Sequence, residues 1–214
     1  MILWIVLIGS VTSLGALAYT ELTLPTQLLV SEYALVDGGM PLVLGGMLAL
    51  AAGCLALAYG LAEREPSRSA AARVLLVAAA GGLILSGLFP TNPAGGLAWS
   101  VAGEIHRWSA ALVFTALPVA GWSLSRGRTT LPGWHPVRFL SIASALVLTM
   151  YLASHPGSFV SPLINGSAYY GLLERGVVLT EIALLISMGL AALRPPATTT
   201  ASRDRLAVKP LRLM

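Results

Sequence analysis

Six long apolar runs, separated by short polar stretches, occupy almost the entire chain, at residues 2–19, 41–62, 74–89, 108–124, 137–153 and 176–193. A helix crosses the hydrocarbon of a bilayer in about 17 to 25 residues, so the runs match membrane spans in length. The third and fifth are short and are expected to continue into their flanks. Apolar residues make up 56% of the 214 and charged ones 10%, with a mean hydropathy of +0.80. A water-soluble domain of this size has no interior large enough to hide that surface. The expected fold is therefore all-α, a polytopic integral membrane bundle of six transmembrane helices with short loops. It takes up residues 1–193 and is followed by a flexible basic cytoplasmic tail at 194–214, where Ala197-Thr198-Thr199-Thr200-Ala201-Ser202 lacks apolar periodicity.

The formal charge of +4 raises the question of nucleic acid, and the positions of the basic residues answer it. Arg64, Arg68 and Arg73 lie between the second and third runs, and Arg126, Arg128 and Arg138 between the fourth and fifth or at the edge of the fifth. Arg194, Arg203, Arg205, Lys209 and Arg212 follow the sixth, which leaves only Arg107 and Arg175 on the other side of a six-span chain. That asymmetry is the positive-inside signature, so both termini are expected in the cytoplasm. No nucleic-acid partner is expected.

Two features of the first two spans need a reading of their own. Ala16-Leu17-Ala18 resembles a signal-peptidase site, but no basic residue precedes the apolar stretch, which favours a retained helix; cleavage would leave five spans in the same orientation. Cys54, the single cysteine, lies inside an apolar run and reads as a small packing residue. Small residues recur every fourth position in several runs, as in Gly45, Ala49 and Gly53, or Ser141, Ala145, Thr149 and Ala153. Such stripes let helix backbones approach closely in lipid, either within the bundle or across a homo-oligomer face.

Acidic residues favour the side opposite the arginines. Glu21, Glu32, Asp37, Glu104 and Glu174 fall in outer loops or outer helix ends, with His106, Arg107, His155 and Arg175. Glu21 and Asp37 read as a wetted surface. Glu181 differs, because it lies inside the sixth span, where a charge costs roughly 2.5 to 3.5 kcal/mol on insertion scales and calls for a partner or a wet cavity. Without a cation beside it, Glu181 is expected to be carried as the neutral acid and so to be a proton donor. Glu174 precedes it by two turns on nearly the same helix face, about 10 Å nearer the surface. A hydrogen-bond clamp to a neighbouring helix is the structural alternative for Glu181.

Phe89-Pro90-Thr91-Asn92-Pro93 fixes a turn that presents Asn92 in one orientation. In Gly103-Glu104-Ile105-His106-Arg107-Trp108, Glu104 and Arg107 are spaced to pair while His106 points elsewhere. His106 and His155 are metal-ligand types, but no paired spacing supports a site, so neither a metal nor a cofactor is expected. His135 reads as interfacial. No nucleophile elbow, phosphate loop, dinucleotide fingerprint or haem-attachment motif is present.

Four segments in order carry a family resemblance: Leu29-Val30-Ser31-Glu32-Tyr33-Ala34, Leu88-Phe89-Pro90-Thr91-Asn92-Pro93, Gly103-Glu104-Ile105-His106 and Gly171-Leu172-Leu173-Glu174-Arg175. Over residues 2–193 the chain resembles the prokaryotic six-helix membrane family catalogued as domain of unknown function 998. The resemblance implies a six-helix bundle and marks Ser31, Tyr33, Phe89, Pro90, His106 and Arg175 as motif positions. The family pattern favours an acid where this chain has Asn92, which weakens any mechanism needing a carboxylate there. The resemblance implies no activity.

The inventory fits best a membrane-embedded enzyme that performs cofactor-free acid/base chemistry, of cyclase or isomerase type, on an isoprenoid-like or other lipid amphiphile. The expected catalytic group is Glu181 or Glu104 as acid and His106 as base, with Glu174 beside them. Glu32, Tyr33, Asn92, Trp108, His155 and Arg175 are expected to bind substrate, the aromatic rings of Tyr33 and Trp108 steadying a developing cation. The alternatives are a non-catalytic binder or proton-linked carrier of lipid or small solutes, and an accessory subunit of a membrane complex.

Overall fold

The computed structural model describes residues 1–93, 99–128 and 130–193. The proposed tail at 194–214 and the stretch Ala94-Gly95-Gly96 lie outside the described residues. Six helices form: α1 (Ile2–Thr23), α2 (Gly39–Arg64), α3 (Ala70–Leu88), α4 (Val101–Ser125), α5 (His135–Ser154) and α6 (Tyr170–Leu193). All six are long and apolar enough to cross a membrane, and no strand occurs among the described residues. The loops carry short 3-10 turns, the first at Val30–Leu35 between α1 and α2.

Local chemistry sets the helix ends. Ser100 caps α4 by accepting the Gly103 N–H at 3.0 Å, which satisfies one of the donors that the first turn leaves unpaired. α3 ends at Leu88 because Pro90 disfavours helical geometry at Phe89, which adopts φ −106° and ψ 112°. α2 starts after Gly38, which sits at φ 78°.

The apolar runs located the helices but placed several starts too late. α3 begins at Ala70 rather than 74, α4 at Val101 rather than 108, and α6 at Tyr170 rather than 176. The added turns carry Glu104, His106, Arg107, Glu174 and Arg175, polar residues that end a hydropathy signal without ending a helix.

Each helix packs against the next in sequence, and α6 closes the ring against α1 while also touching α2 and α4. Small residues mark the tightest crossings. A Cβ on Gly82 would lie 2.8 Å from the Ser109 carbonyl oxygen, and one on Gly53 would lie 3.2 Å from Leu185 Cδ2. These members of the stripes therefore serve packing within the bundle. The core runs through Leu57, Leu76, Leu117, Leu184, Leu185 and Met188, all fully buried, with Cys54 among them. α1 buries 22% of its apolar window against 50% for α4, so α1 is the most peripheral element. It is nonetheless part of the bundle, with Val6 and Ser10 fully buried and Ala16, from the signal-like triplet, packed over Gly46.

Candidate functional site

At the end of the bundle assigned to the outside, α6 grips the loop between α1 and α2 with two adjacent side chains. Glu174, only 5% exposed, accepts the Val30 N–H at 2.5 Å and the Ser31 hydroxyl at 3.5 Å. These donors open the 3-10 turn, where no preceding turn can satisfy the backbone. Glu32 accepts the Leu29 N–H at 3.1 Å from within the same turn. Arg175 donates to the carbonyls of Leu28 at 2.9 Å, Gly171 at 3.0 Å and Gln27 at 3.0 Å, and its Nε donates to Glu21 Oε1 at 2.7 Å. Gly171 makes the grip possible, since a Cβ there would overlap the Leu28 carbonyl.

Glu21 is the corrected residue in this network. It is not a free, wetted acid: its second oxygen accepts the Tyr33 hydroxyl at 3.0 Å while the first holds Arg175. The sequence alone could not show this, because Glu21 and Arg175 meet only when α6 closes on α1.

A second clamp joins the loop after α3 to the start of α4. Asn92 Oδ1 accepts the Ser100 hydroxyl at 2.6 Å, and its amide occupies the space a Cβ on Gly103 would need. One turn further, His106 is 6% exposed, with Nδ1 at 2.9 Å from both the Ser86 and the Phe89 carbonyl oxygens. Two acceptors require the proton on Nδ1, so the neutral ring keeps its lone pair on Nε2. Glu104 and Arg107 form the ion pair their spacing predicts, and the Arg107 guanidinium stands 5.6 Å over the Trp108 ring.

Between the clamps lies a cavity of about 930 Å³, within the range of small-molecule sites. Leu17, Leu42, Met47, Leu50, Leu83 and Val113 supply much of its apolar wall. Glu104, His106, Asn92, Glu174 and His155 line its outer part, and Glu181 lines it at depth. Glu181 is 2% exposed, and its Oε1 has no hydrogen-bond partner among the described residues. Thr115 on α4 and Leu152 on α5 line the cavity and are also exposed. The seam between these two helices is therefore a side on which the cavity meets its surroundings.

Six of the ten expected site residues are thus brought together: Glu181, Glu104, His106, Glu174, Asn92 and His155. The other four do not line the cavity. Trp108 is 69% exposed on the outside of α4, a position fixed by its place next to the inward-facing His106 and Ser109. Tyr33 is fully buried with its hydroxyl on Glu21. Arg175 and Glu32 lie behind the lining, engaged with the loop backbone.

Three aromatic lining residues, Phe114, Tyr151 and Tyr170, were missed by sequence reasoning. The Tyr151 and Tyr170 rings stack at 4.7 Å with their hydroxyls 2.9 Å apart, and Phe114 and His155 meet them edge-on at 6.4 and 5.3 Å. All four line the cavity. The available signal was the spacing of Tyr151 and His155, which share a helix face.

Comparison with protein-family models gives one decisive match: the family described as Protein of unknown function (DUF998) matches residues 2–191. The chain belongs to the DUF998 family. The four segments that carry the resemblance fall at the two clamps and the cavity between them, and the six apolar helices make this DUF998 member a multi-pass membrane protein. Comparison with curated proteins and with solved structures returns no match.

Proposed function

We propose that the protein takes a lipid-like amphiphile from the outer leaflet of a prokaryotic cytoplasmic membrane and rearranges it by proton transfer. The observation that carries this reading is Glu181: a fully buried carboxyl whose Oε1 has no partner and which lines a largely apolar cavity. A carboxyl kept in hydrocarbon is held as the neutral acid, because ionising it there is costly. Its proton passes to an alkene or oxygen of the ligand, a bond closes or shifts within the ligand, and a ligand proton leaves to His106 Nε2. The net change is an isomerisation or cyclisation, and return of that proton to Glu181 resets the site. The rings of Phe114, Tyr151 and Tyr170 take over the cation-steadying role first assigned to Tyr33 and Trp108. Glu104 and Asn92 at the mouth suit a polar head group, and no cofactor enters the scheme.

A non-catalytic binder or carrier is the second reading, favoured by one observation. Glu174, a residue expected to be catalytic, spends its carboxylate on the Val30 and Ser31 donors. The test is to purify the protein in detergent, identify co-purified lipid-like molecules by mass spectrometry, and assay their conversion with Glu181→Gln, Glu104→Gln and His106→Ala. Conversion lost in Glu181→Gln and His106→Ala supports the enzyme. A ligand retained unchanged by the unmodified protein assigns a binder, and full conversion by all three variants overturns the proton-transfer scheme.

A further inference from the structure

The opposite end of the bundle holds more positive charge than it pairs. Arg68, Arg126, Arg128 and Arg138 gather about the turn at Gly127, which adopts φ +73°. Arg68 Nη2 comes within 3.5 Å of where a Gly127 Cβ would stand. Arg128 is 4% exposed, lies 4.0 Å over the Trp134 ring and pairs with Glu65. Its Nη1 has no acceptor among the described residues. Burial is the main reason the Arg128 guanidinium is pulled below its ordinary value; Glu65 opposes that pull and Arg68 adds to it. Among the described residues neither Arg126 nor Arg138 joins an ion pair, and Arg138 stands 5.1 Å over Trp122.

At the same turn, Arg126, Arg138, Trp122, Ser125 and Gly127 line a hollow of about 230 Å³. Guanidinium forks match the paired oxygens of a phosphate. Arginines beside a membrane surface attract anionic lipid, and tryptophans mark the head-group level. We propose that this hollow is a phosphate site, with Arg126 and Arg138 as its forks and Arg68 and Arg128 reinforcing the field, occupied by the head group of an anionic phospholipid of the inner leaflet. The proposal is independent of the outer cavity and its chemistry.

The test uses the full chain in nanodiscs of phosphatidylcholine doped with phosphatidylglycerol, with retained lipid counted by native mass spectrometry. The expected result is preferential retention of phosphatidylglycerol, weakened about twenty-five-fold in the double variant Arg126→Gln/Arg138→Gln, each arginine at an anionic surface contributing roughly fivefold. Arg64→Gln, on the same face but outside the hollow, is expected to retain the lipid. Both arginines of the double variant are exposed, so the fold survives their loss, and melting in neutral detergent checks this. A second arm titrates inorganic phosphate into detergent-solubilised protein: stabilisation lost in the double variant supports the phosphate site and assigns it to a free anion. Equal retention of both lipids together with no response to phosphate, or retention unaltered in the double variant, overturns the proposal.

Discussion

Glu174 of α6 accepts the backbone N–H of Val30 at 2.5 Å, so the last span of the chain completes the first turn of the loop that follows the first span. With Arg175 beside it, α6 holds residues 27–31 against the mouth of the cavity by hydrogen bonds to side chain and backbone.

Arg175→Ala removes its hydrogen bonds to Leu28, Gly171, Gln27 and Glu21, and leaves Glu21 with Tyr33 as its partner among the described residues. A loss of about 2 to 3 kcal/mol is expected, read as a lower melting temperature in detergent and faster hydrogen exchange at residues 27–31. Arg175→Lys restores at most part of it, because an ammonium cannot reproduce the planar fork.

Two glycine substitutions are expected to move stability in opposite directions. Gly171→Ala drives a methyl into the Leu28 carbonyl and opens the clamp, whereas Gly45→Ala meets nothing within 4 Å. The second gains about 0.5 to 1 kcal/mol from helix propensity. Thermal melts of the two variants beside the unmodified protein check both signs.

His106 separates support from chemistry. His106→Asn places an amide donor near the position of Nδ1 and is expected to keep the fold to within about 1 kcal/mol while removing the Nε2 lone pair. His106→Leu leaves the Ser86 and Phe89 carbonyls without this donor and is expected to cost about 1 to 3 kcal/mol. Conversion of the co-purified ligand should fall in both variants, and melting should fall mainly in the second.

Thr115→Trp should block the seam between α4 and α5. Slower exchange of a photoreactive lipid probe, with the melting temperature little changed, is the expected outcome. Unaltered exchange would place the entrance elsewhere.

Orientation can be read by cysteine labelling, since the native Cys54 is fully buried and silent. Phe159→Cys, at a position 90% exposed, should react with a membrane-impermeant maleimide on intact cells. Ser67→Cys should react only after permeabilisation.

What was legible in the chain follows from the range of each signal. Hydropathy and helix period are local, so the six spans could be read from the sequence. The starts of α4 and α6 could not, because Glu104, His106, Glu174 and Arg175 are polar residues in the first two turns of these helices, ahead of the apolar run. Glu181 was visible because a carboxyl inside an apolar run is locally anomalous. Glu21 was not, since its partners lie 12 and 154 residues away in sequence. Tyr151 and Tyr170 carried little beyond the spacing of Tyr151 to His155, as tyrosines are common at span ends. Their pairing is set only by how α5 meets α6.

The grip of α6 on the first loop also sets an order of assembly. While the chain is being inserted, α1 and α2 enter the bilayer before Glu174 and Arg175 exist in the membrane, so the donors of Val30 and Ser31 wait for the sixth span, while Glu21 already has Tyr33 beside it. A chain that stops before α6 therefore leaves those donors without the carboxylate that accepts them, while α1 is already packed along α2. Arrival of the sixth span supplies that acceptor and closes the ring against α1.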